Sequence, residues 1–135
     1  MDSGFVFAYV NEKDPHHSSA LPLMEKILVG EYGKIFISNL IVNEAMTLSM
    51  IRTKSCGCAK TIDDLLSIQK DSRQVFFPIY VDSSIIERTT KKFHKFCPKG
   101  LSFTDCTILV IMEMFSIPSL ATFDSHFKGI VTTFP

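Results

Sequence analysis

Three carboxylates interrupt segments that otherwise read as buried, and any fold for this chain must accommodate all three. Glu44 sits among the apolar residues of 39–48, Asp105 opens directly onto the apolar run 107–115, and Asp124 ends the strand-like stretch 121–124. Burying an unpaired charge costs several kcal/mol in practice. Three such costs in one small chain imply a common compensating partner, and a divalent cation is the natural candidate.

The 135 residues fit a single domain over 1–135, long enough to bury a proper core. Hydrophobic residues make up 46%, which points to a folded globular chain and away from disorder. Formal net charge is zero, so contact with nucleic acid would have to come from a local basic patch. The amino end carries no basic leader, and no apolar run approaches the roughly 18–20 residues that span a bilayer. The expected location is therefore the cytoplasm, with no membrane partner. Cys56, Cys58, Cys97 and Cys106 lack zinc-site spacing and read as free thiols, Cys106 as a small core hydrophobe.

Helical and strand-like segments alternate, which favours an α/β fold with a mainly parallel central sheet flanked by helices. Ser19 is expected to cap a helix to about Glu31, with Pro22 in its first turn. Strands are expected at 34–38, 75–81, 119–123 and 130–134, with Pro78 marking an edge or bulge. Asn39 is expected to cap a helix to about Thr53, Thr61 to begin one ending near Lys70, and Asp82 to cap one to Phe96. After the break at 97–100, Ser102 caps an apolar helix to about Ser116. Residues 4–10 carry strand propensity but suit a short helix equally well.

Helical spacing places Glu44 beside Leu40, Ile41 and Leu48, with Ile51 two turns on, so it falls within the apolar stripe. The plainer alternative is a glutamate at the stripe's edge, reaching solvent or pairing with Arg52. Ser102 and Asp105 form a capping box with Asp in place of Glu, which accounts for Asp105 at a helix start. Asp124 taken alone reads as a turn residue. Together the three gather at the carboxyl edge of a parallel sheet, where ligands bind. Oxygen donors without His or Cys suit Mg²⁺ or Mn²⁺.

Four stretches in order carry a family likeness. Residues 2–17, beginning Asp2-Ser-Gly-Phe, resemble the opening of PIN domains. Residues 39–44 resemble their second acidic motif, 101–106 the third and 120–127 the fourth. The likeness covers essentially the whole chain and is marked for VapC-type toxins, the ribonucleases of VapBC toxin–antitoxin pairs. It implies a PIN-like three-layer fold and a Mg²⁺-dependent endoribonuclease, with Mn²⁺ as a substitute. Asp2, Glu44, Asp105 and Asp124 would then be the acidic, metal-holding quartet. Ser3, Ser102 and Thr104 would supply polar contacts to substrate. The implied partners are an RNA substrate, an antitoxin protein and a second copy in a homodimer. The family's hydrophobic first strand has no counterpart here, since only Met1 precedes Asp2. That departure supports an alternative, a catalytically degenerate PIN-like domain that binds RNA or a protein partner.

The remaining polar residues read more plainly. His16 and His17 are expected to start a helix, His94 to be solvated, and His126 to pack or hydrogen-bond at the surface. Lys91, Lys92, Lys95 and Lys99 form a basic cluster that reads as a solvated face. With Arg52, Lys54 and Lys60 the same cluster would bracket an RNA backbone.

Overall fold

The computed structural model describes residues 1–67, 69–70 and 73–134. The first segment resolves as a helix, α1 (Ser3–Val10). Its Phe5, Val6, Phe7 and Ala8 are all essentially unexposed. A helix apolar on every side belongs at the centre of a core, and there tertiary burial overrides the strand propensity of its Phe and Val residues. Around it pack α2 (His17–Val29), α3 (Asn39–Thr53) and α4 (Gly57–Leu66).

Several boundaries differ from expectation for local reasons. α2 starts two residues before Ser19, because Asp14 accepts the His16 N–H on Oδ1 at 2.9 Å and the His17 N–H on its carbonyl at 3.0 Å. That turn launches the helix, so Pro22 falls in its second turn and not its first. The helix stops at Val29, where Gly30 adopts φ 87°, a left-handed conformation that glycine takes without strain. Ser38, not Asn39, caps α3 through the Ile41 N–H at 3.3 Å. The Asn39 side chain instead accepts the Val81 N–H at 2.9 Å. α4 begins at Gly57 and ends at Leu66, so Lys70 belongs to a short antiparallel pair, β2 (Gln69–Lys70) with β3 (Arg73–Gln74).

The strands that position the site are parallel. β1 (Ile35–Ser38) pairs with β4 (Phe76–Ile79), with Pro78 opposite Ile37. α5 (Ser83–Phe96) follows, capped by Asp82 as expected, and packs on α6 (Phe103–Met114). β5 (Leu120–Ala121) pairs in parallel with β6 (Thr133–Phe134), both shorter than the sequence pattern indicated. Met1 and Asp2 stitch the two parallel pairs together. The Met1 amine reaches the Phe36 carbonyl at 3.3 Å, and the Asp2 N–H donates to the Ala121 carbonyl at 3.0 Å. Burial pushes that amine down to about 6 against the opposing pull of the Asp2 charge.

Candidate active site

The site is built where parallel strands end. Ser38 closes β1 and α3 carries Glu44 outward from it; Ala121 closes β5 and is followed by Thr122, Phe123 and Asp124. Asp2 lies between them through its bond to Ala121, and α6 brings in Asp105 from its first turn. One open cleft is lined by Asp2, Ser3, Glu44, Ser102, Asp105 and Asp124, and these residues come from four separate stretches of chain. Thr104 is half-buried in the first turn of α6 and does not line it.

Asp2 is buried, 6% exposed, and each of its oxygens is met by a hydroxyl. Thr122 Oγ1 donates to Oδ2 at 2.8 Å and Ser3 Oγ lies 3.4 Å from Oδ1. Ser3 Oγ also donates to Glu44 Oε2 at 2.8 Å, so one hydroxyl ties the first and second carboxylates. Thr122 plays a matching part on the other side. Its oxygen accepts the Asp124 N–H at 3.0 Å while its proton goes to Asp2. Thr122 is itself buried, and the sequence reading missed it; the only signal was a hydroxyl two residues before an aspartate.

The buried face of α3 is narrower at Glu44 than its helical spacing predicts. The buried positions of α3 are Ile41, Ala45 and Ser49, whereas Ile51 is 52% exposed. Glu44 therefore sits at the edge of the buried face and leans over the cleft. Asp105 makes the expected capping box: the Ser102 N–H donates to Oδ2 at 2.7 Å, and the Asp105 N–H to Ser102 Oγ at 3.1 Å. Asp124 caps a short 3-10 turn, Ser125–Phe127, accepting the His126 N–H at 2.8 Å on Oδ1. His126 Nδ1 lies 2.6 Å from the same oxygen. The His126 ring rests against Gly100, which has φ 89° and where a Cβ would meet the ring at 3.1 Å.

Burial raises the Asp2 carboxyl above the ordinary aspartate value; the Thr122 bond opposes this and the Asp105 charge adds to it. Burial likewise raises Glu44, opposed by the Ser3 bond and reinforced by the charges of Asp105 and Asp2. Ionising this cleft is thus unfavourable without a cation. Among the described residues no three His, Cys, Asp or Glu side chains are arranged to hold a metal ion as they stand. The donor chemistry nonetheless fits a hard divalent ion, being all oxygen and mutually repelling.

These shifts set a pH dependence. Below the ordinary values of 3.8 for Asp2 and 4.5 for Glu44, both groups are protonated whether folded or not, and their contribution to stability is fully present. As pH rises through the raised folded values, that contribution is lost. Glu44→Gln is therefore expected to soften the loss of thermal stability of metal-free protein as pH rises above the ordinary glutamate value of 4.5. Because Glu44 is half-exposed, the gain near neutrality is less than about 1 kcal/mol after solvent screening. Melting curves in a chelator test this; a steeper decline in the variant than in the wild type would refute the assignment.

Further residues line the cleft: Gly4, Asp14, Pro15, His16, Leu48, Arg52 and Phe123. Arg52 Nη1 lies 3.9 Å from Asp14 Oδ2, and its guanidinium sits 5.3 Å over the Phe7 ring. Of the cations read as an RNA bracket, Arg52 alone is among the described residues that line the cleft. Lys91 pairs with Glu87 at 2.8 Å and Lys92 with Glu113 at 2.6 Å, while Lys92, Lys95 and Lys99 surround the Phe96 ring. The four cysteines are free, as expected.

Comparison with known proteins adds the family context. The family model described as "PIN domain" matches residues 1–131. A VapC ribonuclease from Archaeoglobus fulgidus is 26% identical over 129 residues, covering 95% of this chain and 78% of that protein. The crystal structure of Mycobacterium tuberculosis VapC20, described as a sarcin–ricin loop cleaving toxin, superposes with a TM-score of 0.77. The match covers 96% of this chain and 92% of that one, at 20% sequence identity, and bears on the fold.

Proposed function

Because the chain belongs to the PIN domain family, we propose that it is a divalent-metal-dependent endoribonuclease, acting as the toxin of a toxin–antitoxin pair. The observation that carries this is the convergence of Asp2, Glu44, Asp105 and Asp124 on one cleft, with Asp2 and Glu44 held above their ordinary ionisation range. Perturbed carboxylates gathered in a cleft mark a functional site. The similar VapC ribonuclease agrees in class.

Asp2, Glu44 and Asp105 are assigned to hold Mg²⁺, with Mn²⁺ as a substitute, and Asp124 to complete the set from the far wall. A bound ion of this kind lowers the pKa of a water and offsets charge on the scissile phosphate. The chain's own hydroxyls do the positioning. Ser3 fixes Glu44 relative to Asp2, and Thr122 fixes Asp2 relative to the Asp124 backbone. Ser102 holds Asp105 at the helix start, while Thr104, off the cleft, is assigned no substrate contact. An antitoxin protein and a homodimeric state follow from the same reading. Among the described residues no helix is long and apolar enough to cross a membrane.

Chelation tests the metal. RNA cleavage is expected to vanish in excess EDTA and to return with Mg²⁺ or Mn²⁺; cleavage that survives chelation would overturn the assignment. A second reading, a PIN-like domain that binds RNA or a protein without cutting it, is favoured by the failure of the carboxylates to close on one point. Calorimetric titration with Mn²⁺ separates the two, since the second reading expects no heat of binding at millimolar ion.

A further inference from the structure

Three rings run in line from the core to the mouth of the cleft. Phe5 is fully buried; Phe123 stacks on it with centroids 5.4 Å apart and planes 16° apart. His16 stacks on Phe123 at 4.5 Å and 7°, and is exposed. Both His16 and Phe123 line the cleft, and Phe123 is the residue immediately before Asp124.

The column is fixed from below and from the side. Phe5 gives Phe123 a rigid base, and the Asp14 carboxylate holds the His16 backbone at 2.9 Å. The same carboxylate faces Arg52 at 3.9 Å, so one aspartate holds the His16 backbone and a guanidinium that lines the same cleft. The outer ring lies beside carboxylates that would repel a phosphate on their own, next to the one cation among the described lining residues. Unstacked bases of single-stranded RNA dock on such aromatic faces, and the backbone on adjacent cations.

We propose that His16 is the stacking platform for a base of single-stranded RNA flanking the bond to be cut, with Arg52 beside it for the adjoining phosphate. This rests on the ribonuclease reading and adds to it a subsite for one base. Ring face, not ring nitrogen, is what the platform supplies.

The test compares wild type with His16→Ala, His16→Leu and His16→Phe on a single-stranded RNA oligonucleotide in Mg²⁺. His16→Ala and His16→Leu are expected to lower kcat/KM about tenfold or more, and His16→Phe to stay within about threefold of wild type. Removing the base at one nucleotide flanking the cut is expected to impair wild type and His16→Phe but add nothing to the loss in His16→Ala. Binding of a 2-aminopurine-labelled oligonucleotide, read by fluorescence quenching in an Asp105→Asn background, reports the stack without cleavage. Quenching with His16 or with the Phe substitution, and not with Ala or Leu, supports the platform. Activity and quenching unchanged in His16→Ala, or His16→Phe as poor as His16→Ala, would overturn it. If wild type cuts no RNA, the nuclease reading fails, and the quenching result still decides the platform.

Discussion

Asp105→Asn is expected to remove RNA cleavage almost completely while leaving the protein folded. Residues that merely support a metal ligand typically cost about 10- to 100-fold in affinity or activity, so loss of a ligating charge is expected to exceed about a hundredfold. Folding should hold because an asparagine carbonyl can still accept the Ser102 N–H that Oδ2 accepts now. What it loses is the interaction of a negative charge with the helix dipole, about 0.3–1 kcal/mol. Single-turnover cleavage together with a melting curve checks both halves. Activity within threefold of wild type, or a chain that fails to fold, would each contradict the role assigned to this carboxylate.

Phe5→Ala carries the largest expected effect on stability. The ring is unexposed in a helix buried on all sides, and Phe→Ala in such a place costs about 3–5 kcal/mol. Domains of this size have about 5–15 kcal/mol in total, so the variant is expected to lose a large share of its margin. Urea unfolding should show a midpoint lower by more than about 1 M with an unchanged slope. A loss below about 1 kcal/mol would mean that α1 is not the central element the structure makes it.

Legibility in the sequence followed locality. The capping box at Ser102–Asp105 and the Asp82 cap depend on neighbours a few residues apart and are found where expected, and the strand expected at 34–38 is found at 35–38. The α/β class followed from the same alternation. α1 could not be settled, because its conformation is decided by helices that wrap it from distant parts of the chain. Glu44 was placed on the right helix but too deep, since periodicity reports which face a residue shares and not where that face leaves the core. Asp124 is joined to Asp2 through the bonds of Ala121 and Thr122, and Asp105 reaches them on α6. The Thr122 link spans 120 residues and could not be read from any window. His16 starts a helix, as expected; nothing local reveals the ring beneath it.

The capping box blurs one of the motifs by which relatives of this chain would be judged. At Asp105 one carboxylate serves two masters, the helix and the cleft. A lineage that abandoned cleavage would still have reason to keep an aspartate there, because dropping it frays α6. Glu44 holds no cap, and among the described residues its hydrogen bond is to Ser3 across the cleft. Its replacement, and not the survival of the aspartate, is the sign by which a retired enzyme of this kind would show itself.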